Sequence, residues 1–150
     1  MSVEHLEDKG PMKFVRDEDN ANIAGDSDSI APYPFIGTWV TTNNSSRGIV
    51  KIIVRAKGQG LIIRAFGACS PEPCDWGEST ATLFSDGPAS FKGLAFSARY
   101  DFGFMATHLQ AKVKKGVLVV AVFNRFKDAS GRSNYFSREF FYQVKGAAYA

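Results

Sequence analysis

From Pro34 to Val144 the chain divides into eight apolar-rich runs of strand length, and the breaks between them are too short to hold anything but turns. The runs cover residues 35–42, 48–56, 60–68, 76–84, 91–100, 103–114, 117–126 and 135–144. The breaks read NNSSR, KGQG, CSPEPCD, SDGPAS, DF, KKG and KDASGRSN, segments rich in the Gly, Pro, Asn, Asp and Ser that turn a backbone cheaply. No window of helical length carries a 3.6-residue apolar period. Short connections make sequence neighbours pair as antiparallel hairpins. A row of eight such strands leaves two raw edges, and closing the sheet removes both. The expected fold is therefore all-β: an eight-stranded antiparallel up-and-down barrel. At 150 residues with a 45% hydrophobic fraction, the chain is large enough to fill one such core.

Two runs are apolar on both faces. In 117–126, Leu118, Val120 and Val122 alternate with Val117, Val119, Ala121 and Phe123; in 135–144, Phe136, Phe140, Tyr142 and Val144 alternate with Tyr135 and Phe141. A barrel wall wetted on one side alternates cleanly. Two apolar faces imply an outer cover, either a second copy of the chain or the N-terminal segment, so a homo-oligomer is expected.

Residues 1–33 read as a separate acidic, flexible arm ahead of a domain at 34–150. Residues 1–34 hold eight acids and three bases, whereas the remainder holds fifteen bases and seven acids. Gly10-Pro11, the stretch DEDNANIAGDSDS and Pro32-Tyr33-Pro34 give this arm the texture of a linker. It either solubilises the basic domain or folds over a basic rim until an anion displaces it. No apolar run reaches the ~18 residues of a membrane span. The acidic N-terminus does not read as a secretory signal, which leans the expected location toward the cytoplasm.

The first strand reads Phe35-Ile36-Gly37-Thr38-Trp39-Val40. A Gly-x-Trp on the first strand of successive hairpins resembles the calycin superfamily of lipocalins and avidins. That resemblance implies a structural Trp39 closing one barrel end, with a late-strand arginine stacked on it; Arg138 is the first candidate and Arg125 the second. Avidins need further ligand-stacking tryptophans, and this chain has two Trp in all, so biotin is not implied. Lipocalins are longer and carry a C-terminal helix, so the size match is to shorter barrels. The segment CSPEPCDWGES also resembles one in small uncharacterised bacterial domains with a C-P-x-x-C-D-W-G segment, a likeness that brings no activity.

Cys69 and Cys74 lie in one loop, as a local disulfide or as free thiols. A metal site is not expected, because zinc wants four ligands and the two histidines, His5 and His108, are far away. No phosphate loop, nucleophile elbow or cofactor motif occurs, and no cofactor is expected. The chain lacks an RNP-like pattern, which argues against nucleic acid.

Polar residues inside the apolar runs are the remaining signal. An eight-stranded barrel can hold one small ligand, and such sites are apolar with a few placed polar groups. Arg64, His108, Asn124 and Glu139 are the candidates to line the interior, with Trp76 beside Asp75 at the mouth and Tyr142 on the last strand as further ligand contacts. His108 would serve as a base near neutral pH, and Glu139 as an acid if burial raised its pKa. The expected function is binding of a hydrophobic, possibly anionic small molecule. The alternatives are a cofactor-free isomerase or cyclase acting on a hydrophobic metabolite, and a protein-interaction or inhibitor module.

Overall fold

The computed structural model describes residues 30–145, Gln59 excepted, so the expected acidic arm lies outside the described residues up to position 29. The described residues form eight strands: β1 (Gly37–Thr41), β2 (Ile49–Lys57), β3 (Gly60–Gly67), β4 (Cys74–Ser85), β5 (Gly93–Asp101), β6 (Met105–Lys114), β7 (Val117–Phe126) and β8 (Tyr135–Val144). They pair antiparallel in chain order, and β8 returns to β1 to close the barrel. This architecture is compatible with a calycin-like fold. Among the described residues no helix is long and apolar enough to cross a membrane.

The side-chain period of two sorts each strand into a wall facing in and a wall facing out. Facing in are Ile52 and Val54, Leu61 and Ile63, Phe96 and Ala98, Leu109 and Ala111, Leu118 and Val120, and Phe141, all buried. Each fully buried Leu, Ile, Val or Phe contributes ~1.5–3 kcal/mol relative to an exposed one. Register is fixed locally by the turns. Between β6 and β7 only Lys115 and Gly116 intervene, both at positive φ (53° and 80°), the geometry that matches strand twist in a two-residue hairpin. That turn sets Lys114 opposite Val117 and carries the pairing ten residues down both strands.

One end of the barrel is plugged by the chain itself. Tyr33–Phe35 form a single 3-10 turn, and Phe35 is fully buried, its ring edge-on to Phe96 at 5.2 Å. The Trp39 indole N–H donates to the Phe35 carbonyl at 2.9 Å. Upstream, the Ala31 N–H donates to the Phe91 carbonyl at 2.8 Å. Ala31 and Phe35, on either side of this short segment, are thus held against the barrel. The first strand accordingly begins two residues later than expected, at Gly37. There φ is +137°, and a Cβ would lie 2.5 Å from Gln143 Nε2, so glycine makes the corner between plug and strand.

Candidate functional site

The opposite end is ringed by the β1–β2, β3–β4, β5–β6 and β7–β8 loops, and the barrel opens there into a pocket of about 290 Å³. Its wall combines apolar groups from Ile49, Val122, Met105 and Trp76 with polar groups from Asn124, Ser137 and Glu139; Arg47 stands at the rim. Each lining group on a strand owes its direction to strand parity or to a break in it.

Trp76 points inward because β4 bulges. Arg64 pairs with Glu78 and Phe66 with Asp75, so Trp76 and Gly77 together oppose the single residue Ala65. Gly77 takes a φ of +87°, which glycine adopts without steric cost. A bulge breaks the ladder locally, and here the Tyr100 hydroxyl restores it from within. It accepts from the Ala65 N–H at 3.1 Å and donates to the Gly77 carbonyl at 2.8 Å. Burial raises the Tyr100 pKa, so the phenol keeps the proton that it donates. Trp76 stands edge-on to Tyr100 at 5.4 Å and to Phe102 at 5.1 Å. Gly67 leaves room for the indole, since a Cβ there would lie 2.7 Å from Trp76 Nε1.

Asn124 is buried on the inner face of β7, where the Thr107 hydroxyl donates to its Oδ1 at 2.6 Å. That bond fixes the amide and leaves its NH₂ as a donor toward the pocket. Glu139 enters from β8 on the same face as Ser137 and Phe141. The Ser46 hydroxyl donates to its Oε1 at a long 3.4 Å, and a Cβ at Gly48 would lie 2.9 Å from Oε2. The site therefore offers a held donor, a carboxylate acceptor and an indole within an apolar lining. Among the described residues no group of three His, Cys, Asp or Glu side chains could hold a metal ion.

The structure thus brings Trp76, Asn124 and Glu139 together and places the other expected contacts elsewhere. Arg64 faces outward and forks onto the Asp75 carboxylate. That guanidinium, with the Gly77 N–H, holds the Asp75 carboxyl down at about 2. Beside it, Arg55 pairs with Glu78 at 2.9 Å and lowers that carboxyl too. His108 is on the outer face, paired across strands with Phe123, its ring 6.3 Å from that phenyl. Tyr142 is on the outer face and half exposed. Arg138 is exposed and paired with Ala121 on the outside, as is Arg125 opposite Ala106, so neither stacks on Trp39. The physical reason is common to all of them: Ile63, Leu109, Asn124, Ser137, Glu139 and Phe141 take the inward phase, and their sequence neighbours must face out. Cys69 and Cys74 form a disulfide across the β3–β4 loop, with Cα atoms 5.5 Å apart.

Sequence reasoning missed Thr107, Ser137, Tyr100 and Arg47. Thr107 and Ser137 carry a readable signal, because each shares a face with a candidate that was recognised. No protein-family model matches this chain, and no curated protein matches it in sequence.

Proposed function

We propose that the protein binds a small hydrophobic molecule in the open barrel mouth, in the manner of a calycin-like carrier. The observation that carries this reading is the convergence of Asn124 NH₂, the Glu139 carboxylate and the Trp76 indole on one apolar pocket at the unplugged end. A ligand with an apolar body and a polar edge satisfies such a lining, whereas an unpaired buried polar group costs free energy. Arg47 at the rim suits an anionic group on the ligand. An acid–base pair made of Glu139 and His108 is not available to this pocket, since the two lie on opposite sides of the barrel wall. The outer aromatic face of β7 and β8, with Val119, Phe140 and Tyr142, supports assembly with a second copy.

The test is a titration with 1-anilinonaphthalene-8-sulfonate, an apolar anion whose emission rises on leaving water. Saturable binding is expected, with Trp76→Phe, Asn124→Ala and Glu139→Gln each weakening it about tenfold, the size of one lost hydrogen bond or stacking contact. Binding that is indifferent to all three, with unchanged melting temperatures, would refute the mouth as the site.

A further inference from the structure

Outside the barrel, across β5, β6 and β7, lies a second concavity of about 590 Å³ that the mouth reading does not use. Its origin is a contrast of side-chain size within one cross-strand row. Asp101, Ala106 and Arg125 stand side by side on the outer face, and the small central Ala106 leaves a hollow between two larger, charged neighbours. The next row along is Arg99, His108 and Phe123. Lys127 closes the end of the groove toward the rim.

The charges in this groove do not cancel. Lys127 Nζ donates to both Asp101 oxygens at 2.8 Å, so the single carboxylate is engaged, and its pKa is lowered chiefly by that bond. Arg125 is close enough to lower the Asp101 carboxyl further, yet neither Arg125 nor Arg99 forms an ion pair with a described residue. Two guanidinium side chains therefore line one hollow from either side of β6, on strands two interstrand spacings of ~4.8 Å apart and offset by one cross-strand row. Between them lies the His108 ring, and Phe123, 43% exposed, presents an apolar wall.

We propose that this groove binds a small organic phosphate, its phosphoryl group between Arg99 and Arg125 and its organic part against Phe123. A planar carboxylate is matched by one guanidinium fork. A phosphoryl group accepts hydrogen bonds on three oxygens and so can be met from both sides of β6 at once. The aromatic wall distinguishes the hollow from a merely solvated basic surface, because it gains only from a ligand with an apolar part. The inference is independent of the mouth, since no side chain proposed to hold the mouth ligand faces this groove.

The experiment uses the full chain at low salt, with phenyl phosphate and inorganic phosphate as probes, followed by backbone amide shifts. Phenyl phosphate is expected to bind saturably and more tightly than inorganic phosphate, with shifts centred on Arg99, His108 and Arg125. Arg99→Gln and Arg125→Gln should each weaken both probes about tenfold or more, the scale of a lost charge-assisted hydrogen bond. Phe123→Ala should reduce phenyl phosphate to the affinity of inorganic phosphate and leave inorganic phosphate unchanged. Glu139→Gln should change neither, which separates failure here from failure of the mouth reading. The proposal is overturned if the arginine variants, folded by far-UV dichroism, bind phenyl phosphate as the parent does. It is equally overturned if shifts centre on Trp76 and Asn124.

Discussion

Tyr100 shows how one hydroxyl can hold a site that it need not touch. Its oxygen serves both orphaned groups of the β4 bulge, and that bulge turns Trp76 into the mouth. Tyr100→Phe keeps the ring contacts and strands the Ala65 N–H and Gly77 carbonyl, at an expected cost of about 1–3 kcal/mol. Urea unfolding reads that cost, and the near-ultraviolet dichroism of Trp76 should change with it; a variant as stable as the parent would show the bulge to be self-sufficient. On the outside, Asp75 is held at a pKa of about 2, below its ordinary 3.8, first by Arg64 and next by the Gly77 N–H. A depressed carboxyl stabilises the fold above its unfolded pKa and loses that contribution as pH falls through the folded one. The window here runs from 3.8 down to about 2. A carbon-13 titration of the Asp75 carboxyl should show that low midpoint, and Arg64→Gln should move it upward.

At the scale of elements, most of the architecture was legible and the facing of polar residues was only partly so. The bounds of β7 and β8 match the runs read from sequence, because Lys115-Gly116 and the Asp/Ser/Gly-rich segment before Tyr135 end those runs sharply. The inward phase of β8 was not legible from hydrophobicity. Its outer face carries Phe136, Phe140 and Tyr142, while its inner face carries Ser137 and Glu139 beside Phe141, so the more aromatic face is the outer one. Parity held information that composition did not. The two-residue turn sets His108 against Phe123 and Thr107 against Asn124, so His108 and Asn124 cannot share a face. The β4 bulge and the plug at Phe35 were hidden, since both rest on contacts remote in sequence. The plug and β1 act as one element through the Trp39–Phe35 hydrogen bond. Trp39→Ala should cost ~3–5 kcal/mol, as for other large aromatics in packed cores. A loss below about 1 kcal/mol in chemical denaturation would show the plug to be dispensable.

For the molecule as a whole, the outer face of β7 and β8 sets the expected state of assembly. Phe140 and Tyr142 are 43% and 49% exposed and lie beside the half-buried Val119, an apolar strip that water does not favour. Sedimentation at micromolar concentration should give a dimer or larger, and Phe140→Lys should return it to monomer. A parent chain that sediments as a monomer would leave this strip without a partner copy.

The seam between β1 and β8 bears on how the chain is made. Thr41 pairs with Phe141 and Thr38 with Val144, so the first strand of the barrel to be made waits for the barrel's last. Hairpins β2–β3 and β6–β7 can form as they emerge, but the ring cannot shut until nearly all of the described chain has been synthesised. Until then β1 and β7 offer open ladders to any other nascent copy. A message truncated before Tyr135 would yield a product frozen at that stage. Closure of the β1–β8 seam is therefore the last step that the order of synthesis allows.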